Sequence, residues 1–181
     1  LDAFLVLTED PHGSEYPATY WKFREFLSGF NGSAGVLLIT KQHVGLWTDS
    51  RYYLQAEKQL RGTSIELFKQ GTPGVPDYVS YLTYVLPSGS VVGVDGFTLS
   101  YSKYKEMRKA LDPFDIRIKF KVDIHEDVFV PREALPTDEV TEMLPDVAGL
   151  TRLEKVAQVR DMMIKNNVTH YIVSALDDIA W

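Results

Sequence analysis

Two segments of the sequence, 29–35 and 46–56, are dense in residues that could do chemistry. The first holds Gly29, Gly32 and Gly35, and this spacing invites comparison with a phosphate-binding turn. Such a turn leads from a strand into a helix whose first N–H groups hold the anion, and the Walker type adds a lysine after the last glycine. Here the run leads into an apolar stretch typical of a strand, without that lysine. We interpret it as a tight turn in which two backbones approach closely, with nucleotide binding as the less favoured alternative.

The second segment is predicted to run from a strand through a polar turn into an aromatic-rich helix. Asp49 is placed to cap that helix. Arg51 lies at the helix start, where a cation meets the positive end of the helix dipole. Two explanations stay open at this point: a plain ion pair with Asp49, or an anionic or carbonyl partner outside the helix.

The remaining polar residues form no recognisable catalytic or metal motif. Asp177 and Asp178 are adjacent, so they point in different directions and cannot act as one carboxylate pair. No serine has glycine two residues away on both sides, as a nucleophile elbow requires. None of the histidines has a second His or Glu at metal-ligand helical spacing; they are His12, His43, His125 and His170. We therefore predict no catalytic residue and no metal ligand in this chain.

Composition narrows the classes of partner. The 181 residues are 45% hydrophobic and 12% aromatic, which predicts a globular chain. The net charge of −6, without a cluster of Lys and Arg, disfavours nucleic acid. The absence of cysteine excludes disulfides, a thiolate zinc site and a Cys nucleophile. No apolar run approaches the roughly 18 residues that a membrane-spanning helix needs, so no membrane partner is expected.

Short apolar runs and helical patterns alternate irregularly, which predicts an α/β domain with a mixed β-sheet flanked by helices. Helices are predicted after Pro76 and after Ser100, the latter as an N-cap. The clearest start is Thr151 with Glu154, a capping box whose helix ends at 166–167. Strands are predicted at 4–7, 36–39, 44–47, 65–68, 91–94, 116–122 and 171–173.

Prolines and a glycine break the pattern between 131 and 150, and this stretch is predicted to be a linker. Residues 1–130 would then form one domain, and residues 151–181 the first helix and strand of a second, similar domain. The sequence opens directly on a strand without Met and closes on an apolar run. We accordingly expect a longer parent polypeptide, with the leading helix of the first domain missing here.

Several ordered motifs resemble the N-terminal domain of Xaa-Pro aminopeptidases (aminopeptidase P), which is of the creatinase/prolidase type. The matching stretches cover almost the whole chain: 14–16, 26–35, 46–52, 55–56, 59–60, 92–95 and 173–181. The last of them resembles the start of a second domain, which points to the three-domain cytosolic form. Residues 7–10 and 129–132 depart from the family pattern.

The resemblance implies an enzyme that removes the N-terminal residue from peptides with proline in second position. It implies a cytoplasmic enzyme that forms a homo-oligomer, namely a homodimer. Peptide hydrolysis would take place at two divalent metals, usually manganese, in a domain absent from this chain. Arg51 matches a family arginine that contacts bound peptide, and its five fixed donors suit a carbonyl or carboxylate. The alternative function is a free-standing binding or dimerisation module with the same fold and no activity.

Overall fold

A computed structural model describes residues 1–122 and 124–181 of the chain. It contains two compact units, Leu1–Leu135 and Pro136–Trp181. The first unit is built on one sheet whose strands agree with six of the seven predicted, although the last is shorter than predicted. These strands are β1 (Ala3–Val6), β2 (Val36–Thr40), β3 (Val44–Thr48), β4 (Ile65–Lys69), β5 (Val91–Val94) and β6 (Arg117–Lys119).

The order of the strands across the sheet is β4-β3-β2-β1-β5-β6. The neighbours β1 and β2 are antiparallel, as are β2 and β3. The pairs β1 and β5, β3 and β4, and β5 and β6 are parallel. Parallel neighbours need crossover connections, which are usually helical. Because the sheet contains both parallel and antiparallel pairs, the predicted mixed sheet is confirmed.

Two α-helices of the first unit begin at a side chain that accepts from free N–H groups of the first turn. Asp77 accepts hydrogen bonds from the N–H groups of Val79 and Ser80, and Ser100 accepts one from Lys103 as predicted. The α-helices are α1 (Phe23–Ser28), α2 (Tyr53–Gln59), α3 (Tyr78–Val85), α4 (Tyr101–Leu111) and α5 (His125–Val128). Short 3-10 helices span Thr19–Trp21, Ser50–Tyr52 and Asp112–Phe114.

Two buried clusters cover the two faces of the sheet. Strand side chains alternate between faces, so Leu5 belongs to one cluster and Phe4 to the other. The Leu5 cluster includes residues of α3 and α4, and the Phe4 cluster includes residues of α1 and α2. The first unit is therefore a three-layer α/β domain, with Trp47 of β3 fully buried.

The second unit contains α6 (Pro145–Ala148), α7 (Arg152–Lys165) and α8 (Leu176–Ala180). The capping box is confirmed, since Thr151 and Glu154 exchange backbone and side-chain hydrogen bonds. The predicted strand at 171–173 is wrong, because these residues form no strand and Ile172 is 89% exposed. A strand needs a partner ladder, and the described residues of this unit contain no other strand.

Candidate functional site

The glycine run makes the turn between α1 and β2. Gly29 ends α1 in the left-handed conformation, with φ 68°, and its N–H donates to the carbonyl of Glu25. A Cβ on Gly32 would lie 2.4 Å from a ring carbon of the buried Phe30 and 2.8 Å from one of Tyr52. A Cβ on Gly35 would lie 3.1 Å from the carbonyl oxygen of Trp47. Gly32 and Gly35 therefore permit close approach, as the turn interpretation predicted, whereas Gly29 permits a left-handed backbone.

A buried arginine, Arg24, forms hydrogen bonds to the main chain of this turn. Arg24 on α1 is only 4% exposed. Its Nη1 donates to the carbonyl of Phe30 at 3.1 Å, and its Nη2 to that of Gly32 at 2.5 Å. Its guanidinium also lies 4.8 Å from the centre of the Phe30 ring. The path of the glycine run is therefore fixed by one cation bound to two main-chain oxygens.

The segment 46–56 passes from β3 through a 3-10 turn into α2. Asp49 caps that turn by accepting from the N–H of Arg51 at 3.0 Å. It also binds the guanidinium twice, from Nε at 3.0 Å and from Nη2 at 2.8 Å. Hydrogen bonds from Arg51 hold the pKa of Asp49 below its usual value, and the same pairing raises the pKa of Arg51. The Arg51 side chain is nevertheless 60% exposed, so the ion pair orients it without burying it.

The two segments meet at Tyr52. The Tyr52 hydroxyl lies 2.7 Å from Oγ of Ser33 in the glycine run. The Ser33 hydroxyl in turn donates to the carboxylate of Glu15 at 3.2 Å. The centre of the Tyr52 ring lies 5.2 Å from the Arg51 guanidinium. A cavity of about 240 Å³ opens here, and its walls include Glu15, Trp21, Arg24, Ser33, Tyr52 and Gln55.

The histidines do not assemble into a centre. His43 contacts Glu66 at 2.7 Å and Tyr81 at 3.1 Å, whereas His125 is buried near Asp95 at 3.7 Å. Within residues 1–122 and 124–181, no group of three or more His, Cys, Asp or Glu could hold a metal ion. A two-metal centre therefore does not fit the described residues. None of the described helices is long and apolar enough to cross a bilayer.

Of the residues predicted to matter, the structure brings the glycine run and the helix that follows Arg51 to one cavity. It leaves Asp177 and Asp178 in the first turn of α8. Arg24 was missed from the sequence, because it is followed by Glu25 in a mixed helix and its acceptors are main-chain oxygens of the folded turn. The cavity defines a small site, lined by polar and aromatic side chains, on a three-layer α/β domain.

Comparison with known proteins identifies the family to which this α/β domain belongs. The creatinase/prolidase N-terminal domain model matches residues 1–121, and a second model of the same description matches residues 131–181. This chain belongs to the creatinase/prolidase N-terminal domain family. The resemblance predicted from the motifs is thereby confirmed.

The relatives are aminopeptidases of the Xaa-Pro type. A probable Xaa-Pro aminopeptidase P from Laccaria bicolor is 37% identical over the whole chain, which covers 28% of that protein. Aminopeptidase P2 from Arabidopsis thaliana is 33% identical, with 26% covered. A solved X-prolyl aminopeptidase from Caenorhabditis elegans, described as a cytosolic enzyme with a di-nuclear active site, matches all of this chain and 30% of its own, with a TM-score of 0.89 and 31% identity. The chain thus spans less than a third of the length of these relatives.

Proposed function

We propose that this chain is the non-catalytic N-terminal part of a metal-dependent Xaa-Pro aminopeptidase, which releases the first residue of peptides with proline in second position. The observation that carries the proposal is full-length similarity of the chain to Xaa-Pro aminopeptidases at 33 to 37% identity, over less than a third of their length. A family match of the N-terminal type over residues 1–121 supports the position within the parent protein.

In this proposal hydrolysis takes place in a separate domain of the parent, at two divalent metals, for which we propose manganese. The di-nuclear site of the Caenorhabditis elegans relative supports the metal pair, and its description as cytosolic supports a cytoplasmic location. The described part of this chain offers no cluster of ligands for such a pair. The homodimer remains a proposal that rests on the family resemblance.

The proposed division of the chain is a first domain over 1–130, a linker over 131–150 and the start of a second, similar domain over 151–181. The family match at 131–181 supports the second domain. So do Leu153 and Val156 of α7, which are 83% and 45% exposed. Apolar side chains on such a helix normally face a core, and a completed second domain would provide one.

Arg51 is proposed to contact the bound peptide from the side of this domain. Asp49 takes two of the five guanidinium N–H donors and fixes the plane of the group. The described residues supply no further hydrogen-bond acceptor to the other three, and the side chain is 60% exposed. A planar, fixed and accessible donor of this kind suits a peptide carbonyl or carboxylate.

The test is kinetic, on the complete polypeptide that contains this chain. Arg51→Ala is expected to lower kcat/KM roughly tenfold for peptides of four or more residues and to leave an Xaa-Pro dipeptide unchanged, because only longer peptides reach the arginine. Arg61→Ala, which removes an exposed arginine on the same unit, is the matched control. Equal kinetics of Arg51→Ala and wild type at every length would refute the role of Arg51.

The activity itself is tested separately. The complete polypeptide should hydrolyse an Xaa-Pro peptide, lose that activity with a chelator and regain it with Mn²⁺, whereas residues 1–181 alone should hydrolyse nothing. A complete polypeptide that binds no metal and is inactive on all such peptides would instead indicate the free-standing binding module.

A further inference from the structure

Arg24 is a buried cation whose charge meets no carboxylate among the described side chains. Its two Nη atoms donate to neutral carbonyls, and its Nε has no acceptor at all within the described structure. Glu25 and Glu9 attract it only from a distance. Burying a charge without a counterion is costly, and a buried N–H without an acceptor adds to that cost. The site therefore lacks one anionic partner.

The charge of Arg24 persists at neutral pH. Burial lowers the pKa of Arg24 to about 10, which still leaves the guanidinium protonated at pH 7. The two bonds to carbonyl oxygens explain how Arg24 holds the glycine run. They do not balance its positive charge, because a carbonyl is a dipole and carries no net charge.

Arg24 is also part of the cavity wall, together with charges of both signs. Lys22 and Glu25 in this wall lie 3.9 Å apart, and Glu15 accepts a hydrogen bond from Ser33. A simple anion would meet repulsion from the two wall carboxylates, whereas a ligand with one charge of each sign would not. Trp21 and Tyr52 add aromatic surface for an apolar side chain or ring.

The size of the cavity sets the size of the ligand. A single water needs roughly 10–15 Å³ of such space, and the cavity offers about 240 Å³. A drug-sized molecule fills a pocket of roughly 300–1,000 Å³. The space therefore suits something between the two, which is the range of an amino acid or a dipeptide.

We propose that this cavity binds a small zwitterion, a free α-amino acid or a dipeptide, whose carboxylate pairs with Arg24 and whose ammonium lies against Glu15. The site does not require the peptidase activity proposed above, so the two can fail independently. The competing explanation is that Arg24 is purely structural and that the cavity holds only water.

The test follows the Nε–Hε signal of Arg24 by NMR in the ¹⁵N-labelled chain, with the assignment made from its loss in Arg24→Lys. The probes are L-proline, glycyl-L-proline, prolinamide, which lacks the carboxylate, and N-acetylproline, which lacks the ammonium. The first two should shift this signal and the amides of Gly32 and Ser33 saturably, in the millimolar range. Whichever of the two binds more tightly identifies the source as free amino acid or peptide.

The two probes that lack one charged group test whether the ligand needs both its carboxylate and its ammonium. Prolinamide should leave the Nε–Hε signal unmoved, and N-acetylproline should bind roughly tenfold more weakly than L-proline. Equal binding of all four probes, or no shift of any cavity residue by any of them, would overturn the proposal.

A variant test does not depend on altering the buried arginine. Glu15 is exposed, so Glu15→Gln should fold normally. It should weaken L-proline binding roughly fivefold to tenfold while leaving N-acetylproline unchanged. Glu133→Gln removes an exposed carboxylate outside the cavity and is the control. An equal loss in both variants would show that only net charge matters and would also refute the site.

Discussion

The two units of this chain reach order by different means. In residues 1–135 the sheet buries side chains on both faces, and Leu38, Leu46, Trp47 and Val92 are fully inaccessible. In residues 136–181 one residue alone among those described is buried, Lys155, whose Nζ donates to the carbonyl of Trp181 at 2.6 Å. The apolar side chains of α7 remain largely exposed.

This difference separates what local signals accomplish from what packing accomplishes. A capping box fixes the first residue of α7, but it does not provide a surface for the helix to pack against. Most of the stability of a helix in a protein comes from burying one face. The first unit should therefore carry nearly all of the cooperative stability of the chain.

The most severe way to break this comparison is to separate the units. Residues 1–135 alone should unfold in one cooperative transition, because both buried clusters lie within them. Residues 136–181 alone should show little helix, since a 14-residue helix such as α7 is marginal in water. Thermal unfolding followed by circular dichroism measures both. A cooperative transition in the second fragment would contradict the comparison.

A single buried ring should matter more than an exposed leucine. Trp47 stacks on Phe68 with ring centres 4.0 Å apart, and its Nε1 donates to the carbonyl of Pro76. Trp47→Ala should lower the free energy of unfolding by about 3–5 kcal/mol, from lost packing and the cavity left behind. Leu153→Ala, at a side chain that is 83% exposed, should change it by less than about 0.5 kcal/mol. Urea unfolding of the whole chain tests the pair, and similar losses would refute it.

Two glycines sharpen the comparison at the scale of one methyl group. Gly32→Ala pushes a Cβ against Phe30 and Tyr52, so it should lower the free energy of unfolding by about 1–3 kcal/mol. Gly149 has a φ of 76° and open space around it. Gly149→Ala should strain the end of α6 by about 1–2 kcal/mol without moving the main urea transition. A shift of that transition by Gly149→Ala equal to that of Gly32→Ala would argue against independent units.

The sequence predicted most of the fold wherever the signal was local. Short apolar runs located six strands, and Ser100 and Thr151 were identified as caps because a cap acts within three residues. Asp49 was predicted to cap the helix but caps the 3-10 turn before it, and α2 begins without a side-chain cap. The glycine run was identified as a turn because the four apolar residues that follow it, 36–39, predict a strand and not a helix. The class of fold followed from these elements together, whereas the family followed from the resemblance of ordered motifs.

The sequence failed where a partner lies far along the chain. The strand predicted at 171–173 has the right residues and no neighbour to pair with among those described. The meeting of Glu15, Ser33 and Tyr52 depends on how α1, β2 and α2 pack, and no local pattern encodes that. Arg24 was missed for the same reason, since its acceptors are main-chain oxygens that only the folded turn brings together.

The smallest effect, and the most direct contrast, comes from removing one helix cap in each unit. Asp77 caps α3 by accepting from the N–H groups of Val79 and Ser80 at 2.9 and 3.0 Å, and Thr151 caps α7. Each change to Ala should cost its helix about 1 kcal/mol. Because α3 carries Leu82 of a buried cluster, Asp77→Ala should appear in full in the urea transition of the chain.

Thr151→Ala should instead appear only locally, because α7 buries almost nothing that unfolding of the first unit would expose. Hydrogen exchange of the α7 amides should become roughly fivefold faster, while the urea midpoint stays within error of wild type. If the midpoint falls as far as it does for Asp77→Ala, α7 belongs to the same cooperative structure as the sheet. The exposure of the apolar side chains of α7 would then be a poor guide to the stability of this helix.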